Sequence, residues 1–188
     1  MRPILMLILA GVLAACATAT KMDTGEQAIG ERMFVTLEGP WNQLNMPGLA
    51  PAQVWTMEGL PIDRLLLYSG IKNEDKVAPA GGAGKDFVFR SSMQPDEIVA
   101  LFEGMLTRDG SQFRLVKLEP SSFAGDKGFR FDYSLVRRGD NAQLSGVGFA
   151  TVNKGELFAL LYHAPRLTFF PRHQPRVEQI ARSARVKA

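Results

Sequence analysis

The sequence predicts an α+β fold, a mainly antiparallel sheet of about six to seven strands with two amphipathic helices. Three observations carry this. Phe129, Phe131, Tyr133 and Leu135 alternate with Arg130, Asp132 and Ser134, the period of a strand with one buried and one wet face. Ile98, Leu101, Phe102 and Met105 recur at the spacing of a single helix face. From Leu157 to Tyr162 both alternating faces are apolar. Such a strand is covered on both sides, which places its sheet between two layers.

Each element has its own signal. Met33 to Leu37, Gln53 to Met57 and Arg64 to Ile71 are short apolar runs with β-branched or aromatic residues, and read as strands. Lys85 to Ser91, with Phe87, Val88 and Phe89, reads as another. Between Lys72 and Gly84 lies a loop, charged at first and then Pro79-Ala80-Gly81-Gly82-Ala83-Gly84. Pro95 opens the first helix at its favoured first position, with Asp96 and Glu97 where the helix dipole favours negative charge. Asp109-Gly110 stops it. Gln112 to Glu119 is the next strand. The alternating run around Phe131 then begins a three-strand meander, turning at Gly139-Asp140 and again at Asn153-Lys154-Gly155. Its other strands are Gln143 to Val152 and Glu156 to Tyr162. The second helix starts at Pro175, with Val177, Ile180, Ala181 and Ala184 on one face and arginines on the other.

The order of these elements resembles the α/β/α sandwich of the PsbP-like proteins over residues 32–186. The matching features are strands, a helix after Gln94-Pro95-Asp96-Glu97, and a strand. A Phe123-Ala124-Gly125-Asp126-Lys127-Gly128-Phe129 link follows, then the meander and a closing helix ending in Ala181-Arg182-Ser183-Ala184. What the resemblance implies is a binding or assembly module, because members of that family mostly act by contact rather than by catalysis. Likeness of fold does not by itself fix a function.

The first thirty residues carry a different message. Met1-Arg2-Pro3 is a short positive segment, and Ile4 to Leu13 is an apolar run. Ten helical residues rise about 15 Å, half of a bilayer core, so this is a signal peptide and not a transmembrane span. Leu13-Ala14-Ala15-Cys16 resembles the lipobox of bacterial lipoproteins. That resemblance implies cleavage between Ala15 and Cys16, a diacylglyceryl group on the Cys16 thiol and an acyl group on its new amine. It implies no other cofactor. Ala17 in place of aspartate implies an outer-membrane protein facing the periplasm. Ordinary secretion competes with this, since Ala15-Cys16-Ala17 and Ala17-Thr18-Ala19 both suit the other signal peptidase. The organisation expected is a signal peptide at 1–15, a lipidated flexible tether at 16–30 and one α/β domain at 31–188.

Composition excludes several chemistries. Cys16 is the sole cysteine among 188 residues, so an internal disulfide, a C-x-x-C pair and a cysteine zinc cluster are ruled out. Net charge is +3, too small an imbalance to indicate nucleic acid. The charge is uneven: from Arg166 to Lys187 there are six basic residues against Glu178 alone. Gly81-Gly82-Ala83-Gly84-Lys85 falls short of a phosphate loop, because Pro79 and Asp86 stand where glycine and Ser/Thr are needed. His163 and His173 have no neighbouring ligands for a metal, and His163 reads as a satisfied histidine at a strand edge. Ser145-Gly146 lacks the strained turn of a serine nucleophile, and Asp132 has no partner carboxylate nearby in sequence. Arg138-Gly139-Asp140 is a hairpin tip.

One stretch suggests a contact surface. Phe169-Phe170 lies between Arg166 and Arg172 in a proline-bounded segment, and aromatics with arginine are common in binding hot spots. The candidate partner surface is therefore Arg166, Phe170 and Arg172. The competing reading has both phenylalanines filling the gap between the last strand and the last helix. The function expected is a lipid-anchored, periplasm-facing, non-catalytic module that binds another envelope component, held to the membrane by its lipid and touching a protein partner. A carrier of an apolar ligand or lipid between sheet and helix is the first alternative, and a hydrolase the second.

Overall fold

The computed structural model describes residues 18–45, 50–79 and 86–187. In these the chain runs β1 (Thr18–Met22), β2 (Gly25–Ile29), β3 (Met33–Leu37), β4 (Trp41–Asn45), β5 (Gln53–Thr56) and β6 (Arg64–Ile71). Then come α1 (Pro95–Leu106), β7 (Gln112–Phe123), β8 (Asp126–Val136), β9 (Gln143–Asn153), β10 (Glu156–Pro165), α2 (Phe169–Ser183) and β11 (Arg185–Val186). Eight strands form one antiparallel sheet in the order β1-β4-β5-β6-β10-β9-β8-β7, and β11-β3-β2 form a small second sheet. The α+β, mainly antiparallel class read from the sequence is the architecture observed, with eight strands and three more in place of the six to seven expected.

The centre of the sheet is β10, buried from Leu157 to Ala164. Its two faces feed two cores. Leu157, Ala159 and Leu161 join Phe102, Ile98 and Phe131 beneath α1. Phe158, Leu160, Tyr162 and Ala164 join Val177, Ile180 and Met33 beneath α2 and the small sheet. Each large apolar side chain so buried contributes about 1.5–3 kcal/mol relative to exposure. On the α1 side the long aromatic row of β8 needs space, and β9 supplies it. Tyr133 pairs with Gly146 and Phe131 with Gly148. A Cβ at either glycine would overlap the ring lying over it. The glycines in β9 therefore let the rings lie flat across the neighbouring strand.

Three expectations about elements are corrected. The 16–30 tether is not one where it is described. Thr18 to Met22 pair with Asn45 to Trp41, and Gly25 to Ile29 pair with Leu37 to Met33. Small and polar side chains hide these strands, yet backbone pairing at a sheet margin needs no apolar alternation, and Ile29 is buried. Of the expected Lys85–Ser91 strand, the described residues Asp86 to Ser91 form none. Val88 makes an isolated bridge to Lys76, while Phe87 and Phe89 fill the α1 core from irregular backbone. The second helix starts at Phe169, six residues before Pro175. Pro171 falls in its first turn, where an amide hydrogen has no intrahelical partner to lose. Pro175 sits inside the helix, held there because His173, Val177, Ile180 and Ala181 are buried against the sheet.

Candidate functional site

The cleft lies where the last turn of α1 leaves the sheet. Its helix begins as the sequence indicates: Pro95 is in the first turn, and the Gln94 amide donates to the Glu97 carboxylate at 2.7 Å. Ile98, Val99, Phe102 and Met105 are buried. The helix stops at Leu106, and Arg108, Asp109 and Gly110 carry the chain over to β7, with Gly110 at φ +89°. A cavity of about 250 Å³ opens between this turn and the sheet.

Its inner wall is apolar. Leu66 and Tyr68 come from β6, Leu135 from β8, Leu144 from β9, and Met105 and Leu106 from α1. Tyr68 donates its hydroxyl hydrogen to the Met105 sulfur at 3.1 Å, and burial pushes its pKa well above the usual tyrosine value. Leu60 and Ile62 close one side. Their loop is clamped by the buried Asp63 carboxylate, which accepts from Thr56 Oγ1 at 2.5 Å, the Glu58 amide at 2.8 Å and the Met57 amide at 3.0 Å.

The other end is cationic. Arg64, Arg108 and Arg137 line it, with Asp109, Ser111 and His163. Arg137 is engaged already: it holds Asp140 through two bonds of 2.9 and 2.6 Å and donates to the Pro61 carbonyl at 2.7 Å. That hydrogen-bonded pairing lowers the Asp140 pKa to about 2 and raises that of Arg137. Burial works against the Asp109 carboxylate, but hydrogen bonds from Ser111 and from its own amide, together with the charge of Arg108, hold its pKa below the usual range. Arg64 differs. Burial lowers its pKa, with Arg137 and Arg108 adding to the effect. Its Nε is buried with no hydrogen-bond partner, and among the described residues it makes no ion pair.

His163 lies near the end of β10, which has β6 and β9 on either side. It is satisfied, as expected, but at an interior strand rather than an edge. Tyr133 Oη lies 3.1 Å from its Nδ1 and 3.3 Å from the Tyr162 carbonyl oxygen. Burial lowers its pKa to about 3, with Arg64 and Arg137 contributing, so it is neutral at physiological pH.

The residues named from the sequence are placed elsewhere. Ala15 and Cys16 lie outside the described residues. Phe170 is half-buried, its ring stacked 6.0 Å from Tyr162, so it plugs the gap between β10 and α2. Phe169 packs on the same core, with Arg172 5.3 Å over its ring. Arg172 also lies 3.6 Å from Glu58, which His173 Nε2 approaches at 2.9 Å. Arg166 is exposed. The side chain that does project there is Leu167, 83% exposed, which the aromatic pattern did not single out. Asp132 finds its partners in space: Arg130 bridges it at 3.1 Å to Glu178 of α2 at 2.9 Å, pinning that helix to the sheet. Among the described residues, no helix is long and apolar enough to cross a membrane.

No protein-family model matches the sequence, and no curated protein does. Solved structures resemble it to differing degrees. The cyanobacterial PsbP, CyanoP, from Synechocystis sp. PCC 6803 superposes with a TM-score of 0.58 at 14% identity, over 96% of this chain and 99% of that one. LpqN of Mycobacterium tuberculosis, involved in cell envelope biogenesis, gives 0.49 at 12% identity over 90% and 92%. PA94 of Pseudomonas aeruginosa, a protein of unknown function, gives 0.40 at 13% identity over 84% and 93%. The class that the CyanoP likeness defines is structural: an α+β protein of PsbP-like fold. At such identities the likeness is one of fold alone.

Proposed function

We propose that this chain is a lipid-anchored, periplasm-facing protein of the bacterial envelope that binds another envelope component without catalysing a reaction, and that it binds in the cleft beside α1. The observation that carries this is the joining of an apolar wall to a group of arginines in one cavity of about 250 Å³. Binding sites typically combine mostly apolar walls with a few placed polar groups. Catalysis needs an acid or base poised near the working pH. His163, with a pKa of about 3, and Asp109, held below the usual carboxylate range, are far from that, and arginines cannot serve. The anchor reading rests on Leu13-Ala14-Ala15-Cys16, and the outer-membrane destination on Ala17. Cys16 precedes the first strand, at Thr18, by two residues. Two residues span about 7 Å at most, so a lipid on Cys16 holds the β1 edge close to the membrane.

A second reading, a protein partner at the start of α2, is favoured by Leu167, exposed between Arg166 and Arg172. One experiment weighs both. A photoreactive amino acid is placed at Ile62, Leu167 or, as a control on the opposite edge strand, Val116, and the protein is irradiated in native membranes. The cleft reading predicts a small-mass adduct at position 62 alone. A protein-sized adduct at 167, with 62 silent, would select the second reading instead. Cys16→Ser, analysed alongside, should abolish lipid labelling; if the protein stays lipid-labelled and membrane-bound, the anchor is wrongly assigned.

A further inference from the structure

We infer that the cleft takes a small amphiphile with one anionic headgroup, a carboxylate or a phosphate, seated on Arg64 with its apolar part along the Leu66–Leu144 wall. This rests on the cleft being the binding element and adds the chemistry of what it holds.

The charge count sets the headgroup. Arg64, Arg108 and Arg137 face the cleft against the single carboxylate Asp109. Asp140 neutralises Arg137 from outside the cavity. One cation therefore remains unmatched, and Arg64 is the one that is half-buried and has a buried, unpartnered Nε. A half-buried guanidinium with an unpartnered Nε and no counter-ion is unfavourable, and an incoming anionic oxygen relieves it. Carboxylate and phosphate oxygens match the planar fork of arginine. His163 brings no charge of its own and so leaves the excess at one.

Size sets the rest. Drug-sized ligands occupy roughly 300–1,000 Å³, and about 250 Å³ is available here. A two-chain lipid does not fit, whereas a single short chain or ring does. Its apolar part would lie on Leu66, Leu135, Leu144 and Met105, all of which line the cavity.

The test uses the full lipidated chain in amphipol, followed by fluorine NMR line broadening. The probes are 4-trifluoromethylbenzoate and its neutral counterpart 4-trifluoromethylbenzyl alcohol, with inorganic phosphate as a competitor lacking the apolar part. The inference predicts that the benzoate binds at least tenfold more tightly than the alcohol, the scale of a charge-assisted hydrogen bond. Arg64→Gln should erase that preference while leaving alcohol binding in place, and Arg64→Lys should restore part of it. Phosphate should displace the benzoate only at much higher concentration. Equal binding of the two probes, or no effect of Arg64→Gln in a variant whose melting is unchanged, would overturn the headgroup. Phosphate competing as well as the benzoate would overturn the amphiphile. If neither probe binds, the cleft itself is not the binding element, and the proposed function fails with it.

Discussion

At the scale of the residue, His163 shows what this sheet does to a titratable group. Its folded pKa, about 3, lies below the ordinary histidine value of roughly 6.5. Between those values the unfolded chain binds a proton that the folded chain refuses. Stability from this residue is therefore full above pH 6.5 and declines as pH falls toward 3, at up to about 1.4 kcal/mol per unit. Denaturant melts at pH 6.5 and 5, above most carboxylate titration, should show that slope. In His163→Gln the slope over that interval should flatten. An unchanged slope would mean that the imidazole is reached by water. That His163 is satisfied was legible beforehand, but its burial was not: a histidine ending an apolar run looks the same whether it meets solvent or Tyr133.

At the scale of the element, α2 keeps a proline that its own backbone disfavours. Pro175 cannot donate to the Pro171 carbonyl four residues back, and an interior proline costs about 3 kcal/mol relative to alanine. Its side chain is exposed, so replacing it sacrifices little packing. Pro175→Ala should raise stability by about 1–2 kcal/mol, the gain being partly offset by the freer unfolded chain. A melting temperature that does not rise would show the helix already accommodates the ring without loss. The same proline made the start of α2 hard to read, because sequence rules place a proline at a beginning. Elements with strong side-chain periodicity, such as α1 and β8, were legible to within a residue or two of their starts or their buried faces. Strands β1 and β2 were not, since Thr18, Ala19, Thr20 and Gly25 carry no amphipathic pattern and pair only because β4 and β3 lie beside them.

At the scale of the whole molecule, strand order places the cleft. The eight-stranded sheet spans about 34 Å across seven strand spacings, from β1, next to Cys16, to β7. The cleft draws on β6, β10, β9 and β8, the fourth to seventh of those eight strands counted from β1. The layered architecture was readable from the double-faced Leu157–Tyr162 run. The site was not, because Leu60, Arg64, Met105, Arg108, Leu144 and His163 are brought together only by strand order, which no local spacing records. The native mass of the full chain released from membranes of its own host tests binding in this cleft most directly. The wild-type protein should carry a small non-covalent mass beyond that of its covalent chain. Leu106→Trp, which fills the cavity, should lose that mass while melting normally. Identical spectra for the two proteins, with or without the extra mass, would contradict the account.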